Sequence, residues 1–225
     1  MDDTTTRFDP PDVDCQICPR LVTFREENRT LHPDFHNAPV GSFGHLSARL
    51  LVVGLAPGLR GANCTGRPFT GDAAGDLLYD ALQSFGFSDG TYRARADDGL
   101  RLVNCRITNA VRCVPPQNKP VAAEIRQCRD FLTGEIASMP RLEAILALGR
   151  IAHEAVIVVA NARRADHPFA HGAVHALVDG PALFDSYHCS RYNINTRRLT
   201  PAMFAAVFAA IRDYLSSSAS TAATI

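Results

Sequence analysis

Residues 54–72, "GLAPGLRGANCTGRPFTGD", place three kinds of chemistry in one loop. Its glycines expose backbone amides, Phe69 offers a flat apolar face, and Asp72 puts a carboxylate where a helical pattern begins. A glycine-rich turn between a strand and a helix commonly cradles a phosphate. The nucleoside-triphosphate version of that turn needs a lysine followed by Ser or Thr, and this loop has neither in place. The dinucleotide spacing G-x-G-x-x-G is not met, and Pro57 removes one amide donor. Exposed amides, an aromatic face and a carboxylate together suit a flat heterocycle. Two plainer roles compete: Asp72 as a helix N-cap and Phe69 as a core side chain.

A second set of candidates is the cysteines. There are seven, an odd number, and the chain opens on "MDDTTTRFDPPDVD", which has neither the basic start nor the apolar stretch of a secretion signal. Disulfides are not expected in that setting. Cys15 and Cys18 form C-x-x-C, while Cys113 and Cys128 sit in a loop and the following helix. Four thiolates in two groups suit an iron–sulfur cluster or tetrahedral zinc, and spacing does not separate the two. Either would staple the N-terminal segment onto the fold, a structural task. Cys105 alternates into a strand and is expected in the core, while Cys64 and Cys189 have no partner pattern.

The third candidate is "SYHCSRYNINTRRLT", residues 186–200. His188 leaves a strand end and three arginines follow. A histidine so placed is either a satisfied structural residue or a hydrogen-bond donor to a ligand.

The 225 residues, 46% of them hydrophobic, suffice for one domain with its own core. No apolar run approaches the roughly 18 residues of a membrane span, and a cytoplasmic location is expected. Net charge is zero, but its distribution is uneven. Residues 1–14 carry five Asp and one Arg; residues 101–130 carry six bases and two acids; residues 188–212 carry four Arg and no acid. A neutral protein can thus still present a basic face to phosphates.

The elements that must position these residues alternate. Strands are predicted over 49–55, 101–111, 142–149 and 182–188, with a short strand or hairpin arm in "GAVHALV". Helices are predicted over 18–31, 73–86, from Pro120 through "AAEIRQCRDFLTGEIA", over "RIAHEAVIVVANA", and over 200–215. This pattern predicts an α/β fold with a central, mostly parallel four-stranded sheet and helices on both faces. Ligands of such sheets lie at the carboxyl ends of strands, which selects loops 55–72, 109–120 and 188–199. Residues 1–14 are expected as a flexible acidic tail, 15–215 as a single domain, and 216–225 as a frayed terminus.

Taken together, "CQICPRLVTFREEN", "PVGSFG", "LLVVGLAPGLRGANCTGRPFTGDAAG", "TNAVRCVPPQNKP", "EIRQCRDFL", "ALGRIAHEA", "HPFAHG" and "SYHCSRYNINTRRLT" run in order from residue 15 to about 200. In them the chain resembles the uracil-DNA glycosylase superfamily, and within it the four-cysteine bacterial type called family 5. Related four-cysteine enzymes carry Glu after the first glycine of the loop; Leu55 stands there, as in family 5. Two positions depart from the pattern: Cys64, where Arg is usual, and Cys189, which varies.

The resemblance implies a three-layer α/β/α domain with a structural [4Fe–4S] cluster on Cys15, Cys18, Cys113 and Cys128 and no catalytic metal. It implies a monomer that acts on double-stranded DNA, removing uracil and other deaminated or damaged bases such as hypoxanthine and ethenocytosine. The flipped base would stack on Phe69, beside the backbone of Leu55, Ala56, Pro57 and Gly58, with Asn109 reading its edge and Asn63 helping to place water or backbone. Asp72 would position or deprotonate the attacking water, and His188 would donate to a base oxygen. Ser190, Arg191, Asn193, Arg197 and Arg198 would hold the DNA from the minor groove. A competing reading is a non-enzymatic nucleic-acid-binding module stapled by zinc or an iron–sulfur cluster. A relative that traps DNA covalently would need a basic insertion after the first loop's helix, and the chain has none there.

Overall fold

Leu50–Gly54 is a run of five residues, all buried, and it forms the central strand β1. A parallel strand covered on both faces needs just such an unbroken apolar stretch. In the computed structural model, which describes residues 8–222, β1 follows helix α1 (Pro19–Leu31) and precedes a one-turn helix α2 (Ala62–Thr65) and then α3 (Ala73–Ser84). Next come β2 (Ser88–Asp89), β3 (Arg101–Leu102), β4 (Cys105–Asn109), α4 (Ala122–Ala137), β5 (Ala144–Leu148) and α5 (Arg150–Val159). The chain closes with β6 (Val174–Ala176), β7 (Ala182–Ser186), α6 (Arg191–Asn195) and α7 (Pro201–Ala222).

The main sheet has the order β4-β1-β5-β7-β6. It is parallel except for β6, which runs antiparallel to β7. The sheet therefore has five strands, not the expected four: the hairpin arm in "GAVHALV" pairs as its edge. The predicted strand over 101–111 is in fact two pieces. Asn104, at φ 49°, turns the backbone between them. As a result β3 pairs with β2 in a separate ribbon, and only β4 joins the main sheet.

Alternate residues of each strand face opposite layers. Leu50, Val52, Leu146 and Phe184 pack with Leu78, Leu82, Phe204 and Phe208 of α3 and α7. Leu51, Val53, Ile145 and Leu183 pack with Leu132, Ala152 and Val156 of α4 and α5. The chain thus leaves β1 toward one face and β5 toward the other, which opens a crevice between their carboxyl ends.

Of the expected acidic tail, residues 1–7 lie outside the described residues. Asp14 ion-pairs with Arg29 at 2.7 Å, and the Asp12 carbonyl accepts from the Cys15 amide. At the other end, helix α7 continues past 215 to Ala222, and residues 223–225 lie outside the described set. Among the described residues no helix is long and apolar enough to cross a membrane.

Candidate active site

The loop after β1 is held from behind by a buried ion pair that has no obvious signature in the sequence. Arg67 forms a two-pronged bridge with Asp98, both contacts at 2.7 Å, and its side chain is 6% exposed against 0% for Asp98. The guanidinium also donates to Thr70 Oγ1 at 2.8 Å and lies over the rings of Phe43, Tyr79 and Tyr92. Tyr79 donates to the Pro68 carbonyl at 2.8 Å. These contacts lock the segment that carries Phe69, whose backbone sits at φ 52°. A bulky residue in that left-handed region is strained and persists only where its surroundings over-determine it. Arg67 therefore braces the loop from within and is not a phosphate ligand.

Phe69 faces the end of the sheet. Gly54 and Asn109 are cross-strand partners there. A Cβ on Gly54 would fall 2.3 Å from Asn109 Oδ1 and 2.5 Å from Phe69 Cζ, so only glycine lets the two side chains close together. Asn109 is 3% exposed, and its Oδ1 has no hydrogen-bond partner. Buried acceptors in native proteins are nearly always satisfied, so this one marks a place for a donor. The His188 ring stacks over Phe69 at a centroid distance of 5.9 Å. A base between the two rings would need two contact layers of about 3.5 Å each. Contact with Phe69 therefore requires entry beside His188 or a change in its rotamer.

Asp72 caps a helix and also reaches a cavity. Its Oδ1 accepts from the amides of Ala74 and Gly75 at 3.0 and 3.2 Å, which makes it the N-cap of α3. That bond orients Oδ2, which crowds Gly61 closely enough that a Cβ there would lie 2.3 Å away. Asp72 lines a cavity of about 380 Å³ together with Leu55, Ala56, Gly58, His188 and Arg191. Leu55 and His188 also line a second cavity of about 410 Å³, between the ends of β1 and β5, with Phe169 and Arg198. Burial pushes the His188 ring below the usual histidine range, and the Asp72 carboxylate partly opposes this. The balance favours the uncharged ring, which donates from one nitrogen only.

The other predicted residues surround these groups. Asn63 is buried, with its Nδ2 donating to Asn37 Oδ1 at 2.9 Å, so it braces the back of the loop and does not line either cavity. Pro57 is likewise buried. Ser190 caps α6, and Asn193 Nδ2 donates to the His188 carbonyl at 2.8 Å, which fixes the backbone that carries the imidazole. Arg191, Arg197 and Arg198 are exposed, and Arg198 lies 4.6 Å over the Tyr187 ring. Arg191 and Arg198, with Arg150 at the start of α5, give the crevice a basic rim, and Arg197 is exposed next to Arg198. Cys105 and Cys189 are core residues, and Cys64 is partly exposed on α2.

The motif "HPFAHG", which carries Phe169 to the cavity, is tied down by a buried network. Asp185 contacts His153 Nδ1 at 2.8 Å and His175 Nε2 at 3.1 Å, and His153 Nε2 donates to the His167 carbonyl at 2.9 Å. The donor atoms of His153, His175 and Asp185 lie within 4.8 Å of one another, already bonded among themselves.

The four predicted cysteine ligands line a separate cavity, whose apolar cluster packs against Ala56 of the crevice wall. Cys18 caps α1, Cys128 lies on α4, and Cys113 follows β4. Arg20 clamps α1 to α4 through both oxygens of Glu124, at 2.7 and 2.9 Å. The remaining walls are largely apolar, including Ile17, Leu21, Val22 and Phe131. Among the described residues no three of the four sulfurs lie within 4.8 Å of one another. Four thiols on the wall of one cavity are the donor chemistry of a zinc or an iron–sulfur site. Burial pushes the Cys18 thiol up to about 11 and the Cys113 thiol up to about 12, with neighbouring thiols adding to both. A bound cationic centre is what would turn such thiols into thiolates.

A doubly flanked parallel sheet whose crevice is lined by the Asp72 carboxylate and the His188 ring under a basic rim, with Phe69 buried against His188 and Asn109 buried next to Phe69 without lining either cavity, has the layout of a base-excising enzyme. The Uracil DNA glycosylase superfamily profile matches residues 41–212, and the chain belongs to that superfamily. It is 46% identical over 195 residues to the type-5 uracil-DNA glycosylase of Thermus thermophilus, covering 84% of this chain and 89% of that one. The type-5 enzyme of Pyrobaculum aerophilum is 41% identical over 84% of this chain and 83% of its own. The type-4 uracil-DNA glycosylase of Archaeoglobus fulgidus is 36% identical over only half of this chain and 49% of its own.

Proposed function

We propose that the protein hydrolyses the N-glycosidic bond of uracil in DNA, leaving an abasic site. The observation that carries the reading is the buried, unpartnered Oδ1 of Asn109 beside Phe69, at the same sheet end as Asp72 and His188. A base edge supplies the N–H this oxygen lacks, and the amide's own N–H₂ donates to the adjacent carbonyl of the base.

The target carbon is hidden in a duplex, so the nucleotide must leave the stack at a cost of a few kcal/mol, less at a mismatch. Arg191 and Arg198 on the rim, and Arg197 next to Arg198, hold phosphates and fill the gap from the minor groove. Bond cleavage leaves positive charge on the sugar and negative charge on the base. Asp72 Oδ2 opposes the first and orients or deprotonates the attacking water. The uncharged His188 donates one hydrogen bond to the base oxygen as charge builds there. A [4Fe–4S] cluster on Cys15, Cys18, Cys113 and Cys128, when bound, supplies a structural staple between α1, α4 and the loop after β4. The same pocket is proposed to admit hypoxanthine and ethenocytosine, and the protein to act as a cytoplasmic monomer on double-stranded DNA.

A labelled duplex with one uracil opposite guanine tests the reading. Incubation followed by alkaline treatment is expected to cut the strand at the uracil, and parallel hypoxanthine and ethenocytosine duplexes report breadth. Binding to the duplexes with no cut in any of them would leave the non-enzymatic binding module in place of the enzyme.

A further inference from the structure

The largest unexplained polar group outside the crevice is the guanidinium of Arg25. Arg25 lies in the middle of α1 and is 2% exposed. Its Nη1 donates to the Cys15 carbonyl at 3.0 Å, but Nε and Nη2 are buried without a hydrogen-bond partner among the described residues. The nearest carboxylate, that of Glu26, is itself exposed and stands 3.6 Å from Nε, beyond hydrogen-bonding reach. Arg25 lines the same cavity as the four cysteines. The other arginine of that cavity, Arg112, is paired with Glu135 at 2.6 Å, a carboxylate it shares with Arg106. A buried cation with idle donors is costly unless an anion completes it.

We infer that Arg25 is the counter-cation of the four-cysteine centre, donating from Nε and Nη2 to the sulfur of a bound cluster. This rests on the cluster reading proposed above. A cluster held by four thiolates is anionic, and its potential responds to net charge and to hydrogen bonds at sulfur. A fixed positive charge beside it favours the reduced, more negative state. Arg25 therefore raises the reduction potential and slows cluster loss. The Arg112 amide, 3.3 Å from Cys128 Sγ, is a second donor to the same centre.

The test compares the purified holoprotein with Arg25→Met, which keeps length and loses charge, and Arg25→Lys, which keeps charge and loses the planar fork. The readouts are iron and sulfide per chain, the decay of the absorbance near about 400 nm under an iron chelator, and the reduction potential. Arg25→Met is expected to lose the band about tenfold faster or more, the scale of one charge-assisted hydrogen bond, and to shift the potential downward. Arg25→Lys is expected to hold the potential near that of the wild type while losing the band faster. If Arg25→Met does not fold, the split between potential and retention in Arg25→Lys carries the test. Equal retention and equal potential in all three proteins would overturn the inference. So would faster loss with unchanged potential in Arg25→Met, because a merely structural arginine gives that result. Wild-type protein without iron or the band would instead overturn the cluster itself.

Discussion

Asp72 divides its two oxygens between two tasks, and the tasks can be separated. Oδ1 caps α3 through the Ala74 and Gly75 amides, and Oδ2 faces Gly58 and Gly61 at the cavity wall. Asp72→Asn keeps an acceptor of nearly the same shape for the cap, because Asn is as good an N-cap as Asp. What it loses in stability is the interaction of a charge with the helix end, about 0.3–1 kcal/mol. Asp72→Ala loses the cap as well, a further ~1 kcal/mol. Against a typical domain stability of about 5–15 kcal/mol, either variant stays folded, as denaturant titration can verify. Both variants lose the carboxylate that orients and activates water, a contribution of about 10²–10⁴ in rate. Single-turnover excision from a U·G duplex with enzyme in excess isolates the chemical step from binding. Asp72→Asn is expected to be at least a hundredfold slow while nearly as stable as the wild type. An Asp72→Asn protein that excises within about twofold of wild type would refute the mechanism and reduce Asp72 to a helix cap.

Gly54→Ala would push a methyl into Asn109 Oδ1 and Phe69, at 2.3 and 2.5 Å. Denaturation should show a loss of about 1–3 kcal/mol, and excision should fall about a hundredfold because the base-reading groups are displaced. Asp98→Asn strands the buried Arg67 and should cost about 3 kcal/mol in unfolding experiments, with loss of the loop that carries Phe69. The Arg67 guanidinium holds the Asp98 carboxyl well below the usual carboxylate range. Its contribution is therefore present above the unfolded value of about 3.9 and is lost as pH falls below it, a dependence that Asp98→Asn should remove. Burial lowers His188, so its contribution is complete above about pH 6.5 and fades as pH falls toward the depressed folded value. Melting temperatures of wild type should decline over that window more steeply than those of His188→Gln.

Much of the scaffold was legible because its signals are local. The unbroken apolar runs of β1 and β5 and the apolar face of α3 report burial in a two-sided sheet. The elements that escaped notice are short or turn on one dihedral: α2 and α6 are about one turn each, and the break at Asn104 follows from a single left-handed residue. The hairpin arm could be seen, but not that it would pair with β7.

The sequence by itself determined the alternation of strand and helix, the three loops that meet at one end of the sheet, and the placing of Phe69, Asp72, Asn109 and His188 within or beside those loops. Residue order and apolar period carry that information, because each element's burial is written in its own few residues. Only the tertiary structure decided how each side chain spends its polar atoms. It turned Asn63 toward Asn37 and Asn193 toward the His188 backbone, gave Asp72 a capping oxygen and a free one, and left Asn109 Oδ1 and two nitrogens of Arg25 unpaired. It also joined Arg67 to Asp98, 31 residues away. Hydrogen bonds and ion pairs depend on ångström distances between groups far apart in the chain, and no local period records them.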